Sequence, residues 1–327
     1  MQKVLGIGNA LVDTLVSLKS DDLLKELELP KGSMQLVDAD YAGKVAKKCE
    51  NYDKFMVSGG CGANTIHALA TLGTETGFIG KVGKDELGEF FINDLSNNNI
   101  SPNLTYGKNP SGHAMAFVTP DGERTFATYL GAALELTPED LDEEIFKGYD
   151  ILHVEGYLLQ NHSLLEEAFA KARKNNMKVS LDLASFNVVE DNLDILKKWV
   201  KNDVDIVFAN EEEAKAFTGK EPEEALEDIA SLCEIAVVKI GKNGSMLKRG
   251  NESCRVPAIE ANVVDTTGAG DAYASGVLYG VAKGLKLEQS GRIASILSGK
   301  VIENMGARLS QDKWPEIKKL VEEVEKG

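Results

Sequence analysis

A stretch near the end of the chain combines glycines with one carboxylate in an order that suits phosphate chemistry. Residues 263–276 run Val-Val-Asp-Thr-Thr-Gly-Ala-Gly-Asp-Ala-Tyr-Ala-Ser-Gly. Glycines let the backbone approach a ligand closely, and a helix that starts there points unpaired N–H groups at that ligand. Asp271 repels a bound phosphate unless it accepts a proton from an attacking hydroxyl, so this carboxylate beside the turn Gly268-Ala269-Gly270 predicts phosphoryl transfer to an alcohol. The alternative is an ordinary helix start with Asp271 as a first-turn acid.

A second glycine-rich turn precedes a predicted helix early in the chain. It runs Ser58-Gly59-Gly60-Cys61-Gly62-Ala63-Asn64. Gly59 and Gly60 are expected to bring backbone amides near a substrate, and the Asn64 side chain offers both a donor and an acceptor to vicinal hydroxyls. The alternative is that Asn64 is the N-cap of the helix, and one residue can serve both purposes.

Several common nucleotide and metal motifs are missing from the sequence. Gly6 and Gly8 follow a predicted strand, but Leu11 stands where G-x-G-x-x-G requires its third glycine, so a nicotinamide enzyme is only a distant alternative. The pattern G-x-x-x-x-G-K-[ST] does not occur, which excludes a Walker-type NTPase. The cysteines lack metal-binding spacing and predict reduced thiols. They are Cys49, Cys61, Cys233 and Cys254.

Short apolar runs alternate with amphipathic stretches, which predicts a mostly parallel sheet with helices on both faces. Predicted strands cover residues 3–8, 54–58, 76–82, 150–155, 178–183, 205–209 and 235–240. Predicted helices cover residues 64–72, 85–97, 138–146, 163–175, 192–201, 211–217, 222–232, 270–283, 287–304 and 311–325. Because ligands bind open α/β sheets at the carboxyl ends of the strands, we expect the site there.

Two stretches interrupt this alternation, residues 9–38 and 111–131. The second predicts a hairpin of residues 113–119 and 123–129 joined by Pro120-Asp121-Gly122, since Asp-Gly between alternating strands favours a tight turn. We expect both stretches to form a small β lid over the site. The core then comprises residues 1–8, 39–110 and 132–327.

The charge of the chain limits its partners. A net charge of −16 over 327 residues argues against nonspecific binding to nucleic acid or to an anionic membrane. The N-terminal apolar run is interrupted by Asn9 and Asp13 and lacks a basic leader, and no apolar run is long enough to span a membrane. We therefore expect a cytoplasmic protein that binds a small molecule.

The string Asp265-Thr266-Thr267-Gly268-Ala269-Gly270-Asp271 resembles the second signature of the PfkB/ribokinase family of carbohydrate and nucleoside kinases, and Gly59-Gly60 with Asn64 resembles the first. The resemblance covers almost the whole chain. It implies a ribokinase-like three-layer α/β/α core with a mostly parallel central sheet, a small β-sheet lid, and direct transfer from ATP·Mg²⁺. Asp271 is then the base, the amides of residues 268–271 stabilise the transferring phosphoryl group, and Asp13 and Asn64 hold the substrate.

The same resemblance implies roles for nucleotide and metal residues. Asn210 and Glu213 match the N-x-x-E motif associated with Mg²⁺ and phosphate placement, with Glu213 acting through water, although this spacing is also that of a helix capping box. Asp265 and Thr267 are implied as candidate ligands of a monovalent cation such as K⁺. Arg308 is implied to contact nucleotide, with a helix cap as the alternative. Residues implied to bind ATP are Asn210, Lys239, Gly241, Gly244 and Thr266.

The resemblance leaves the acceptor open between a nucleoside and a sugar. Glu155-Gly156-Tyr157-Leu158 and the hairpin look most like the adenosine-kinase-like branch, which favours adenosine. If the hairpin alternates, Met115 and Phe117 share a face with His113 that stacks a nucleobase, packs the lid or joins two lids in a homodimer. Ribose, fructose or a similar sugar is the alternative, and a flat apolar slot above the sugar site distinguishes the two. A catalytically inactive protein that binds a nucleoside as a sensor is a more distant alternative, because a pure binder gains nothing from a base such as Asp271.

Overall fold

Strands and helices alternate along most of the chain, as the sequence predicts. The computed structural model describes residues 1–121 and 123–327, so Gly122 of the predicted hairpin turn lies outside the described residues. Within these ranges the strands, β1–β14, are Val4–Ile7, Leu11–Ser17, Met34–Leu36, Lys54–Gly59, Thr76–Val82, Ile100–Tyr106, Gly112–Val118, Arg124–Tyr129, Ile151–Val154, Lys178–Asp182, Ile206–Asn210, Ile235–Lys239, Ser245–Arg249 and Glu252–Val256. The α-helices, α1–α13, are Asp22–Glu26, Ala39–Lys48, Cys61–Thr71, Glu86–Asn97, Glu143–Phe146, His162–Lys174, Phe186–Asp191, Leu193–Asn202, Glu211–Thr218, Pro222–Ala230, Ala269–Lys283, Leu287–Val301 and Trp314–Glu325.

The larger of two sheets is mostly parallel and is buried on both faces. Its strand order among the described residues is β14-β13-β12-β11-β10-β9-β1-β5-β6, and only the pairs β12–β13 and β13–β14 are antiparallel. Neighbouring side chains of a strand point to opposite faces, so Leu5 and Ile7 of β1 pack in one apolar cluster while Val4 packs in the other. Helices therefore cover both faces, which confirms the predicted ribokinase-like α/β fold.

The smaller sheet has the order β3-β8-β7-β2-β4 within the described part of the chain. Helices α1 and α2 cover one of its faces through an apolar cluster that includes Val16, Leu24, Val45 and Phe117. Its other face carries Asp13, described below. This sheet corresponds to the expected lid.

One strand lies in a different sheet from the one predicted. We expected residues 54–58 in the core, but β4 pairs with β2 of the small sheet, with Val57 opposite Asp13. The first four residues of β4 are not buried, as suits a strand that closes the edge of a small sheet. Helix α2 also packs on this sheet. Residues 39–59 therefore belong with the small sheet and not, as predicted, with the core.

The strands at and next to the edges of the large sheet were not predicted from the sequence. Strand β6 contains Pro102 and is half exposed, and β13 and β14 mix charged with apolar residues, so none of the three has a continuous apolar run. The predicted helix 138–146 is interrupted, since only a 3₁₀ turn at Pro138–Asp140 and the short α5 form. No helix in the described ranges is both long and apolar enough to cross a membrane.

Candidate active site

Asp271 occupies the third residue of α11, directly after the glycine turn. Gly268 caps this helix with φ = +76°, and a Cβ built there would lie 2.5 Å from the Ala307 carbonyl oxygen, so only glycine fits. No side chain of the described residues caps α11. The first-turn N–H groups of Ala269, Gly270 and Asp271 lie at the positive end of the helix dipole, an arrangement that suits an anion.

The Asp271 carboxyl is half-buried and held by a neighbouring amide. Asn64 Nδ2 donates a hydrogen bond of 2.9 Å to Asp271 Oδ2. Burial raises the pKa of Asp271 to about 6, and the Asn64 hydrogen bond opposes that rise. Near pH 7.5 Asp271 is therefore mostly ionised, yet far more basic than an exposed carboxylate, which suits a general base.

Asn64 lies inside α3 and both ends of its side chain are engaged. The N-cap of α3 is Gly60, so the alternative in which Asn64 caps the helix is wrong. Asn64 Oδ1 accepts a 3.1 Å hydrogen bond from Arg308 Nε, while its Nδ2 donates to Asp271. One N–H of the amide and its oxygen are therefore engaged within the protein.

Asp13 faces the site from strand β2 of the small sheet. Among the described residues none donates a hydrogen bond to its carboxylate, and a Cβ on Gly59 would lie 2.4 Å from Asp13 Oδ2. Gly59 thus makes the room that Asp13 occupies, and Gly60, with φ = +93°, passes close to the Asn9 carbonyl. Burial raises the pKa of Asp13 to about 6, and the nearby Arg308 partly offsets this. The free carboxylate oxygens are suited to accept hydrogen bonds from ligand hydroxyls.

A cavity of about 170 Å³ opens beside Asp271, between the carboxyl ends of the parallel strands and the start of α11. Lys239 Nζ lies in it, 3.1 Å from Asp182 Oδ2. A Cβ built on Gly270 would lie 3.3 Å from the same ammonium, so the charge of Lys239 lies directly beside the glycine turn. Burial lowers the pKa of Lys239, but the carboxylates of Asp182 and Glu213 outweigh that effect and raise it.

Asn210 and Glu213 line the same cavity and form a reciprocal capping box at the start of α9. The Asn210 N–H and Nδ2 donate to the two oxygens of Glu213, at 2.8 and 2.6 Å, and Glu213 N donates to Asn210 Oδ1. Burial and the neighbouring Asp182 raise the pKa of Glu213 to about 7. No group of three or more His, Cys, Asp or Glu among the described residues could hold a metal alone. Hard oxygens without a closed cage fit Mg²⁺ held mainly by ATP and water.

Three residues predicted to bind ATP do not line this cavity. Gly241 begins a 3₁₀ turn, and Gly244 has φ = +92° with a built Cβ only 2.0 Å from the Val256 carbonyl oxygen, so this glycine is required by the fold. Thr266 is exposed, and its carbonyl accepts from Ala269 N at 3.2 Å. Their assignment to ATP stays a prediction.

Both carboxylate oxygens of Asp265 are already engaged within the protein, and the Thr267 hydroxyl is held against one of them. Thr267 donates to Asp265 Oδ1 from both its N–H and its hydroxyl, at 3.0 and 2.7 Å, and Gly306 N donates to Oδ2 at 2.8 Å. Arg124 of the small sheet places its guanidinium 2.5 Å from the same Oδ2. The ion pair already neutralises this carboxylate, so these side chains do not fit the expected K⁺ site.

Sequence reasoning did not place three charged residues in the site, namely Arg124, Glu155 and Asp182, and it gave Arg308 a different contact, with nucleotide. Buried Glu155 accepts hydrogen bonds from Asn9 Nδ2 at 2.6 Å and from Gly62 N at 2.9 Å, and thereby joins the end of β1 to the start of α3. Burial raises its pKa to about 7. Glu155 and Asp182 both stand at the carboxyl ends of predicted strands, which is the signal that identifies them.

The face of the small sheet that carries Asp13 is apolar. Paired residues of adjacent strands point to the same face, and the pairs Asp13–Val57, Leu15–Phe55 and Ala116–Phe126 lie on it. Exposed members of this face are Met34 at 55%, Leu36 at 65% and Phe55 at 66%.

The face that we expected to stack a base is the opposite one. Met115 and Phe117 are 4% and 0% exposed, because they pack under α1 and α2 in the cluster that holds the lid together. His113 shares their face and contacts Thr14, with 2.8 Å between Nε2 and Oγ1. The alternation of the hairpin is confirmed, but stacking by these residues is wrong.

Comparison with known proteins gives a consistent result. A family model described as "pfkB family carbohydrate kinase" matches residues 33–314. A probable sugar kinase from Rhizobium etli superposes with a TM-score of 0.86 at 33% identity over 98% of both chains. An adenosine kinase from Sinorhizobium meliloti superposes with a TM-score of 0.85 at 34% identity over 98% of this chain and 99% of that one. An uncharacterised sugar kinase from Archaeoglobus fulgidus is 32% identical over 73% of this chain and 96% of its own length.

Proposed function

The chain belongs to the pfkB family of carbohydrate kinases, and from that premise we propose that it phosphorylates a primary hydroxyl of a nucleoside, with adenosine as the first candidate. The protein is a kinase, as the members of its family are. The choice of a nucleoside is our own inference. The observation that carries it is that the unpartnered carboxylate of Asp13 shares an apolar face of the small sheet with the exposed Phe55 of the neighbouring strand.

A nucleobase gives that apolar face a partner, whereas a free sugar does not. Phe55, in the strand next to that of Asp13, exposes 66% of its surface, and Leu36 and Met34, on the opposite edge strand of the same face, expose 65% and 55%. Covering about 100 Å² of apolar surface contributes on the order of 2.5 kcal/mol to binding. A ribose held by Asp13 with its base against this face satisfies both features at once. A pentose or hexose leaves the face exposed.

The proposed chemistry uses the residues around Asp271. Asp13 accepts hydrogen bonds from the sugar hydroxyls of the acceptor and so orients it. The Asp271 carboxylate takes the proton of the primary hydroxyl as its oxygen forms a bond to the γ-phosphorus. The bond to the β-phosphate oxygen breaks, and that oxygen leaves with the electron pair as ADP. The first-turn amides of α11 and the Lys239 ammonium bind the phosphates and stabilise the charge that develops.

Mg²⁺ fits the oxygen ligands on the nucleotide side of the cavity. Glu213, fixed by Asn210, would hold it through water. When bound it neutralises phosphate charge and helps orient ATP.

Two alternatives follow from specific observations. Relatives described as sugar kinases keep ribose, fructose or a similar sugar as the second candidate acceptor. The exposed apolar residues of the lid also suit a second copy of the chain, so a homodimer through the lid stays a prediction.

The test is ADP release from ATP·Mg²⁺ with adenosine, other nucleosides, ribose and fructose as acceptors. We expect kcat/KM for adenosine to exceed that for either sugar by about a hundredfold, the effect of a base-binding contribution near 2.5 kcal/mol. Phe55→Asp should raise the KM for adenosine about tenfold while the KM for ATP is unchanged. Tyr52→Ser, at an exposed aromatic residue that precedes β4, is the matched control. Equal or better turnover of a free sugar overturns the nucleoside proposal, and binding of adenosine without ADP release points to a sensor.

A further inference from the structure

A hydrogen-bonded chain runs from Asp94 through Arg308 and Asn64 to Asp271. Arg308 donates from Nη1 to Asp94 Oδ2 at 2.9 Å and from Nε to Asn64 Oδ1 at 3.1 Å. Asn64 then donates from Nδ2 to Asp271 Oδ2 at 2.9 Å. Ser58 donates its hydroxyl to the same Asp94 oxygen. Three separate parts of the sequence thus meet at the candidate base.

The two middle members of this chain, Asn64 and Arg308, are largely buried. Asn64 is 7% exposed, and the Arg308 side chain is 11% exposed. The second terminal nitrogen of Arg308, Nη2, is buried and has no hydrogen-bond partner within the described residues. A buried guanidinium that leaves a donor unpaired is costly, which is better explained by a functional requirement for its position than by stability.

The role of Arg308 follows from the symmetry of a carboxamide. The oxygen and the NH₂ group of Asn64 have nearly the same shape, so burial alone does not choose between two orientations related by a flip. Arg308 can only donate, so it requires the Asn64 oxygen on its side. The NH₂ group therefore faces Asp271, which can only accept when ionised. Without Arg308, the flipped amide becomes available to a protonated Asp271, whose O–H can donate to the Asn64 oxygen, so loss of the guanidinium favours the protonated carboxyl.

The position of Arg308 also argues against both roles considered from the sequence. The guanidinium contacts Asn64 and Asp94, whereas the candidate phosphate-binding ammonium of Lys239 lies beside Gly270 in the cavity. The side chain bonds to two side chains and not to the carbonyls at a helix end, so it does not cap a helix.

We propose that Arg308 is a positioning residue that fixes the orientation of Asn64, so that Asn64 holds one oxygen of Asp271 and leaves the other for the proton of the acceptor hydroxyl. This inference rests on the proposed function, because it gives Asp271 the role of base. In this role Arg308 acts through Asn64, and the role requires no contact of Arg308 with ATP or acceptor.

Several charged or titratable groups face Asp271 and contribute to its pH dependence. They come from β2, α3, the end of β9, β10, β12 and the segment after α12, and they are Asp13, Cys61, Glu155, Asp182, Lys239 and Arg308. Only Arg308 is both cationic and bonded to Asn64. Its removal takes away a positive charge and frees the amide, and both changes favour the protonated form of Asp271.

The experiment is a double-mutant cycle on kcat/KM with Arg308→Met, Asn64→Ala and the two combined. We expect Arg308→Met to lower kcat about 10- to 100-fold, with the KM for ATP unchanged within about twofold. The acid limb of the kcat profile should move to higher pH. The combined variant should be no slower than Asn64→Ala, because Arg308 acts through that residue. Arg308→Lys keeps the positive charge and should therefore retain a higher kcat than Arg308→Met. It also replaces Arg308→Met in the cycle if that variant fails to fold. Arg255→Met, an exposed arginine of β14, is the control for loss of one charge.

A second readout separates failure of this inference from failure of the proposed function. The side-chain NH₂ signals of Asn64, identified by their loss in Asn64→Ala, should be protected from exchange in the wild type and lose protection in Arg308→Met. If the wild type turns over no acceptor, the proposed function fails while this signal still tests the positioning role. Additive effects in the cycle, or an Asn64 amide unchanged by Arg308→Met, would overturn the inference.

Discussion

Replacing Asp271 by asparagine should inactivate the enzyme and at the same time stabilise it. Burial raises the pKa of this carboxyl from 3.8 to about 6. A shift of about two units corresponds to roughly 3 kcal/mol by which the folded state disfavours the ionised form. Because Asp271 is half-exposed to the cavity, we reduce the expected gain on removing the charge to about 1–2 kcal/mol at pH 8.

The sign of this effect changes with pH in a defined way. The folded-state pKa of Asp271 is raised, so the folded state binds the proton more tightly than the unfolded chain does. The penalty from its charge is absent below the unfolded pKa near 4, grows between pH 4 and 6, and is complete above the folded pKa. The stabilisation by Asp271→Asn should therefore be largest at pH 8, smaller at pH 5, and absent near pH 4.

Urea unfolding of wild type and Asp271→Asn at pH 8 and pH 5 measures this difference. Asp191→Asn, an exposed acid outside the site, is the matched control and should change stability by less than about 0.5 kcal/mol at either pH. Turnover of Asp271→Asn should fall by at least about a thousandfold. A variant that is inactive but no more stable at pH 8 would refute the electrostatic argument, and a variant that is fully active would refute the assignment of the base.

Three further predictions concern contacts around the site. Replacing K⁺ by tetramethylammonium at constant ionic strength should change turnover by less than about twofold, because Arg124 already neutralises Asp265; a loss of about tenfold contradicts this. Lys239→Met should raise the KM for ATP about tenfold or more in steady-state assays, since a charged hydrogen bond to phosphate is lost; an unchanged KM removes Lys239 from the ATP site. Gly244→Ala should lower the free energy of unfolding in urea by about 2–3 kcal/mol, because its φ and the nearby Val256 carbonyl exclude a methyl group; a loss below about 0.5 kcal/mol contradicts this.

Sequence patterns predicted the buried centre of the fold better than its edges. Strands such as β11 and β12 each contain four consecutive apolar residues because both faces are covered. Strand β6 contains a proline and polar residues because one side of it has no neighbour, so its composition resembles a loop. Strand β4 carries an apolar run but lies in the small sheet, because pairing with β2 is set by contacts that no local pattern encodes.

The residues of the candidate site likewise differ in how far local sequence patterns identify them. Asp271, Asn64, Asn210 and Lys239 are found from local motifs, since each stands at a helix start or strand end. Arg308 is not, because it contacts Asn64 across 244 residues of sequence, and its role depends on that contact.

The face of the small sheet on which Arg124 lies could in principle be predicted from the hairpin pattern. Alternation from Ala116 through its partner Phe126 places Arg124 on the face of the lid that covers the site. Its contact with Asp265 still required the structure, because nothing local shows how the lid meets the core.

The most direct test of the central claim is ³¹P NMR of the wild-type enzyme with ATP·Mg²⁺ and adenosine. We expect a phosphomonoester signal of adenosine that grows in step with ADP and is lost with Asp271→Asn. Release of ADP without a phosphomonoester, or a phosphomonoester that forms with ribose or fructose but not with adenosine, would contradict it.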